Sequence, residues 1–312
     1  MVDMPDGHVP VLLHATLEGL ALRPGRDVID GTLGGGGHTA AILEVTAPGG
    51  RVLALDADGS AVARGRQRLA SFGSRVILAQ ANFDQMAIVA GAYRFVPDAI
   101  LLDLGLSSYQ LGDTGRGFSF QGTGPLDMRF DRQHGRPAAD LINTLDEASL
   151  ADLILRYGED RYARRIARAI VQARPLSTTR ELAALIERTV GGSHERIHPA
   201  TRTFQALRIA VNDELGALER ALPQALTLLQ PGGRLAVISF HSLEDRLVKQ
   251  FMQREAQDCI CPPRLPMCVC GHRASLRLVT RKPILPTETE VEQNPRSRSA
   301  RLRIAEKLTV AG

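Results

Sequence analysis

Apolar residues in the first hundred positions fall in short unbroken runs, most of them ending in an acid. These are Asp27-Val-Ile-Asp30, Arg51-Val-Leu-Ala-Leu-Asp56, Arg75-Val-Ile-Leu78 and Asp98-Ala-Ile-Leu-Leu-Asp103. Between them lie helix-like segments through Ala40-Ala-Ile-Leu43 and across 60–70. Continuous apolar runs, as opposed to alternating ones, mark strands covered on both faces, so the pattern predicts a parallel sheet flanked by helices. The rhythm breaks after Ser108. Residues 112–136 are rich in Gly, Arg and Asp and carry no strand pattern, while 145–220 read as successive helices. Strand rhythm returns in Pro231-Gly-Gly-Arg-Leu-Ala-Val-Ile-Ser-Phe240 and again from Ser299 to Leu308. The expected fold is α/β, with one sheet domain built from 1–111 and 209–312 and a mostly helical insertion over 112–208. Residues 286–298 read as an exposed connection, and no repeat is visible.

The first run leads into Asp30-Gly-Thr-Leu-Gly-Gly-Gly-Gly-His38. Glycines at a strand-to-helix turn let a ligand approach the backbone, and the helix behind them presents unpaired N–H groups. Alone, such a turn serves NAD, FAD or S-adenosylmethionine, or is a plain tight turn. Asp56, ending the second run, suits ribose hydroxyls, with a helix N-cap as the plainer role and Asp58 as the alternative cap. Asp30 tips the choice towards S-adenosylmethionine, because an acid before the glycines disfavours a pyrophosphate and suits a cationic ligand. Asn82-Phe83 after the third strand and Asp103-Leu-Gly-Leu-Ser-Ser108 after the fourth fall where ligands of such sheets lie. Phe83 fits ordinary core packing equally well, and Asp103 a loop-capping acid.

Composition narrows the partners. Of 312 residues 44% are hydrophobic and 23% charged, as in a soluble globular protein, and only 4% are aromatic with no Trp. A broad aromatic platform for RNA is therefore excluded. No apolar run reaches the roughly 20 residues that cross a bilayer, and the N-terminus has no signal-peptide pattern, so no membrane role and a cytoplasmic location are expected. The net charge of +4 comes almost wholly from arginine, with Lys249, Lys282 and Lys307 the only lysines. The pI is about 9.1. Arg161, Arg164, Arg165 and Arg168 share one helical stripe, opposite Ala163, Ile166, Ala167 and Ile170. That predicts a packed face and a face suited to phosphate, unless acids nearby neutralise it. Arg116, Arg129, Arg132 and Arg136 mark the glycine-rich stretch as a functional loop, ordering on RNA. Arg296, Arg298, Arg301 and Arg303 form a weaker basic patch. All four cysteines lie in Cys259-Ile-Cys261 and Cys268-Val-Cys270. Four thiolates so close suit zinc, beside the loop Pro262-Pro-Arg-Leu-Pro266, but C-x-C is a less common spacing than C-x-x-C, and no metal is assigned from the sequence.

Longer strings carry a resemblance. His8-Val-Pro-Val-Leu-Leu13, Asp30-Gly-Thr with Gly36-Gly-His38, and Leu101-Leu-Asp-Leu-Gly105 with Ser107, Ser108 and Gln110 come first. Arg116-Gly-Phe-Ser-Phe120, Gly124-Pro-Leu-Asp-Met-Arg129 and Tyr157-Gly-Glu follow. The remainder are His198-Pro-Ala-Thr-Arg-Thr-Phe-Gln-Ala206, Ile238-Ser-Phe-His-Ser-Leu-Glu-Asp245 and Asn294-Pro-Arg-Ser-Arg-Ser299. In this order they resemble the ribosomal RNA small-subunit methyltransferase H family over almost the whole chain. The resemblance implies a class I (Rossmann-like) S-adenosylmethionine-dependent methyltransferase sheet with an inserted helical domain for RNA recognition. It implies cofactor contacts at Gly36, Gly37, His38, Asp56, Phe83, Asp103 and Gln110. The implied substrate is a cytidine in the decoding region of 16S rRNA, methylated on N4, with the rRNA or the small subunit as partner. Free rRNA or assembled subunit, and the oligomeric state, a dimer included, stay open.

One departure bears on chemistry. Many amino-methyltransferases have an Asp/Asn/Ser-Pro-Pro-Tyr/Phe motif after the fourth strand, and this chain has Asp103-Leu-Gly-Leu. Its aromatic clamp must come from elsewhere. Candidates for holding the amine are Asp103 and His241, both placed only by their strand-end position; His241 is equally a satisfied loop histidine. The rivals are an NAD-dependent oxidoreductase, an RNA-binding assembly factor, and a DNA cytosine methyltransferase, which the missing motif disfavours.

Overall fold

The computed structural model describes residues 10–191, 198–262, 265 and 267–309. His8 and Val9 of the first string, and Pro263, Arg264 and Pro266 of the cysteine loop, lie outside the described residues. The chain divides into two compact units, Met1–Gly105 with Ala217–Gly312, and Leu106–Gly216.

The first unit opens with α1 (Leu13–Gly19), β1 (Val28–Asp30), α2 (Gly37–Val45), β2 (Val52–Asp56), α3 (Gly59–Arg68), β3 (Val76–Gln80), α4 (Met86–Ala92) and β4 (Ala99–Asp103). The second holds α5 (Ser108–Gly112), α6 (Ala138–Thr144), α7 (Glu147–Gly158), α8 (Ala163–Gln172), α9 (Thr179–Val190) and α10 (Ala200–Asn212). The chain returns through α11 (Glu214–Leu228) to β5 (Arg234–Ser239), α12 (Ser242–Glu255), β6 (Leu276–Leu278), α13 (Glu288–Gln293) and β7 (Arg301–Lys307). The strands form one sheet in the order β3-β2-β1-β4-β5-β7-β6. The first five run parallel; β7 is antiparallel to both β5 and β6.

The unbroken apolar runs are explained by the two cores. Successive strand residues point to opposite faces. Ile29, Leu53, Leu55, Ile100, Leu102, Leu235 and Val237 face one core, with α4, α11 and α12 over them. Val28, Val52, Ala54, Ala99, Leu101, Ala236 and Ile238 face the other, under α2 and α3. β1, β2 and β4 are therefore apolar at every position until the last residue reaches the rim.

Two elements depart from expectation. The short edge strand β6 carries no legible pattern at three residues. Residues 286–298 are not a bare connection: Thr287 caps α13 by accepting from the Glu290 N–H, and Glu290 Oε1 accepts the Leu12 N–H at 2.6 Å. The Thr-x-x-Glu spacing was the available signal. Two of the four arginines in the patch at the end hold structure, and Arg296 and Arg298 are exposed. Arg303 donates to Asp245 from Nε at 2.7 Å and Nη2 at 3.1 Å, and Arg301 adds a contact at 3.0 Å. Burial works to raise the Asp245 pKa, but the two guanidiniums hold it below its ordinary value.

In the second unit Ile142, Leu150, Ile154, Ile166, Ile170, Leu182, Ile186 and Phe204 make a separate core. The inward face of α8 is the predicted one: Ala163, Ile166, Ala167 and Ile170 are buried and Arg164, Arg165 and Arg168 are exposed, while Arg161, expected on the same stripe, is exposed in the turn before the helix. Arg168 is partly neutralised by Glu147 at 3.3 Å, a partner from α7 that local spacing could not reveal. The glycine-rich stretch is braced by hydrogen bonds to its backbone. Arg116 is buried and donates to the carbonyls of Arg129 and Phe130, and Asn212 bonds the backbone of Phe130 and Met128, both at 2.7 Å. Arg129 pairs with Asp127, as does Arg132 at 3.4 Å, and Arg136 lies 3.7 Å from Asp140.

Asp245→Ala leaves the Arg303 guanidinium buried without its partner. It should lower unfolding free energy by about 3–5 kcal/mol, read from urea denaturation. A loss under about 1 kcal/mol would mean that the pair is solvated.

Candidate active site

The sheet order reverses between β1 and β4, and in open α/β sheets ligands lie at the carboxyl ends of strands at such a switch point. Asp30 and Asp103 end the two strands that flank it, and Asp56 ends the neighbouring β2.

Backbone crowding shapes the loop after β1. Gly31 N–H bonds the Leu101 carbonyl at 2.9 Å. A Cβ on Gly31 would lie 2.5 Å from Leu102 Cδ2 and 3.1 Å from Phe83 Cβ, so only glycine fits there without repacking. Gly36, at φ +76°, caps α2 without any side-chain hydrogen bond. The first N–H groups of α2 are thus left to the rim, at Gly37 and His38.

Asp30 is fully buried, and that burial raises its pKa against the hydrogen bonds it receives. The Thr39 hydroxyl donates to it at 2.6 Å and the Thr32 N–H at 3.1 Å. It braces the loop from behind. Thr32 in turn accepts the Asp103 N–H at 2.7 Å.

Asp56 accepts the Gly34 N–H at 2.8 Å on one oxygen and the Asp58 N–H at 2.8 Å on the other. Burial raises its pKa to about 6. The cap of α3 is Asp58, which accepts from Ser60 at 3.0 Å, so the plainer role considered for Asp56 belongs to its neighbour. Each Asp56 oxygen keeps a second lone pair.

His38 is buried between two acceptors, the Val11 carbonyl 3.1 Å from Nε2 and Asp103 Oδ2 3.4 Å from Nδ1. A neutral ring has one N–H and would leave one acceptor unmet. Burial disfavours the imidazolium, but Asp103, Asp30 and the Val11 carbonyl outweigh it, and the pKa lies above its ordinary value. The other Asp103 oxygen, Oδ1, is buried and has no hydrogen-bond partner.

Of the remaining expected residues, Phe83 is half-buried in the turn Phe83–Gln85, next to Gly31. Gln110 lies in the second unit, where its Oε1 accepts the Ser107 N–H at 3.0 Å in a reciprocal cap of α5. His241 caps α12: its Nδ1 accepts the Glu244 N–H at 3.4 Å, and Nε2 lies 3.1 Å from Glu244 Oε1. Thr32, Thr39 and Phe240 were missed in the sequence. Phe240 follows β5 and its ring packs against the Gly105 turn, within 3.3 Å of where a Cβ on Gly105 would stand.

The profile of the MraW methylase family matches residues 6–308. The chain belongs to that family. Two relatives agree over nearly full length, both named ribosomal RNA small subunit methyltransferase H. The one from Dehalococcoides mccartyi is 55% identical over 313 residues, covering 100% of this chain and 89% of its own. The one from Thermomicrobium roseum is 57% identical over 309 residues, covering 98% and 95%. The sheet is accordingly the Rossmann-like methyltransferase sheet. In this MraW chain no helix among the described residues is long and apolar enough to cross a membrane.

Long-range proton–nitrogen NMR at about pH 6 should show both His38 nitrogens protonated, with the imidazolium losing its proton at lower pH in Asp103→Asn, where the raising partner is gone. A neutral His38 in the unsubstituted chain at about pH 6 would contradict the pairing.

Proposed function

We propose that this chain transfers a methyl group from S-adenosylmethionine to N4 of a cytidine in the decoding region of 16S rRNA, acting in the cytoplasm on the rRNA or the small subunit. The family supports a methyltransferase, and the shared name of the relatives supports small-subunit rRNA as substrate. The cytidine and its amine rest on the resemblance noted above. The observation that carries the mechanism is Asp103: one oxygen is held by His38 and the other is buried without a partner.

The residues at the rim fit the donor. The free lone pairs of Asp56 suit ribose hydroxyls, Phe83 suits an adenine face, and the uncapped N–H groups of Gly37 and His38, presented by the turn at Gly36, suit the carboxylate of the methionine end. Gln110 is the contact assigned on resemblance alone. When bound, the donor supplies an electrophilic methyl on a sulfonium, with a neutral thioether as leaving group.

The exocyclic amine of cytosine is a weak nucleophile because its lone pair is delocalised into the ring. Asp103 Oδ1 accepts a hydrogen bond from that amine or from the methionine ammonium, aligning the nitrogen and stabilising positive charge as it develops. His38 fixes the Asp103 carboxylate and so acts as a positioning residue. His241 Nδ1 accepts in the cap of α12, and Asp103, at the end of β4, is the acceptor taken here. Arg164 and Arg165, exposed on α8, are suited to rRNA phosphates.

Labelled methyl should pass from S-adenosylmethionine to small subunits from cells lacking this protein, and nucleoside mass spectrometry should find N4-methylcytidine. Asp103→Asn should lower kcat/KM by about 100-fold or more. Label on another base, or wild-type turnover in Asp103→Asn, would defeat the reading. S-adenosylhomocysteine uses the ionised Asp56, so its affinity should fall as pH drops below about 6, by up to tenfold per unit, and stay flat in Asp56→Asn. Calorimetric titration across that range measures it.

A further inference from the structure

Between α12 and β6 the chain runs from residue 256 to 275 with no helix or strand among its described residues, and none of those is buried. A segment that long, with no core of its own, needs another fixture. Yet four side chains in it converge. Cys259 Sγ lies 3.4 Å from Cys268 Sγ and 3.9 Å from Cys270 Sγ, and Cys268 lies 3.6 Å from Cys270. With Cys261, all four sulfurs lie within 4.8 Å of one another.

From this convergence we infer that Cys259, Cys261, Cys268 and Cys270 form a structural zinc site. Four sulfurs at about 2.3 Å from one zinc ion stand about 3.8 Å apart on the edges of a tetrahedron, which is the spacing found here. The distances are too long for disulfides, whose sulfurs are bonded at about 2.05 Å. They are too short for thiolates spread around an iron–sulfur cluster, where more than one iron lies between them. The C-x-C spacing is suited to the task. In an extended segment residues i and i+2 project to the same side, so two such segments facing one another bring four sulfurs to one centre.

Two backbone donors support the same assignment. The Val269 N–H points to Cys261 Sγ at 3.4 Å and the His272 N–H to Cys270 Sγ at 3.5 Å. Such donors stabilise the negative charge of metal-bound thiolates and orient them. Further bonds tie the base of the loop to the end of α12: the Ala274 N–H reaches Asp258 at 3.2 Å, and His272 Nε2 lies 3.1 Å from the Arg254 carbonyl. Four thiolates leave no open position for water or substrate, so the ion is structural, and its binding energy orders a loop that apolar burial does not.

The full-length chain, produced with zinc in the medium and purified under reducing conditions without chelator, is analysed by elemental mass spectrometry. One zinc per chain is expected, falling below about 0.1 in a Cys261→Ser, Cys268→Ser double variant. Should that variant misfold, cobalt(II) titration of the metal-stripped wild-type chain decides. It should give the intense visible bands of tetrahedral thiolate-bound cobalt at one equivalent, and zinc should bleach them. Zinc below about 0.1 per chain together with no such bands, stoichiometric iron, or an intact mass short of four hydrogens from two disulfides would each overturn the site. Methyl transfer is not read in this test, so its outcome is independent of the proposed reaction.

Discussion

A carboxyl group taken fully out of water at the end of β1 has to be matched by hydrogen bonds, and the groups that match Asp30 are the ones that set the rim. Thr39 ties it to the first turn of α2, and Thr32 ties it to the loop whose hydroxyl also accepts the Asp103 N–H. One buried side chain thereby fixes the helix start, the glycine turn and the end of β4 relative to each other. His38, carried on the same helix turn, then reaches Asp103 and the Val11 carbonyl. An unpaired polar group at this depth would cost about 1–3 kcal/mol, so loosening any one of these contacts strains the others.

Much of this was legible in order but not in role. The parallel strands announced themselves because burial on both faces forbids polar residues until the rim, which is also why the rim acids stood out. The acids look alike in a sequence, however, and do three different jobs. Asp30 is a brace, Asp56 gathers loop amides, and Asp103 keeps an oxygen without a protein partner. Nothing local distinguishes them, since the deciding partners, the Gly34 N–H for Asp56 and the His38 ring for Asp103, are distant in the sequence.

Arginine taught the same lesson more strongly. Charge is visible in a sequence, and its neutralisation is not. Arg116 and Arg303 read as surface donors but are buried against carbonyls and against Asp245. The stripe on α8 was readable because helical periodicity alone separates its two faces, and there the arginines are exposed. His241 caps the following helix through Nδ1, a role that a histidine after a strand can fill as readily as it can meet a substrate.

Strand order has a consequence for how the molecule is made. β7, residues 301–307, lies between β5 and β6, so it fills an interior lane of the sheet instead of adding to its margin. The first unit is also split around Leu106–Gly216. As the polypeptide leaves the ribosome, the continuous stretch Leu106–Gly216 is therefore synthesised whole while the sheet still lacks β5, β6 and the β7 strand that bridges them.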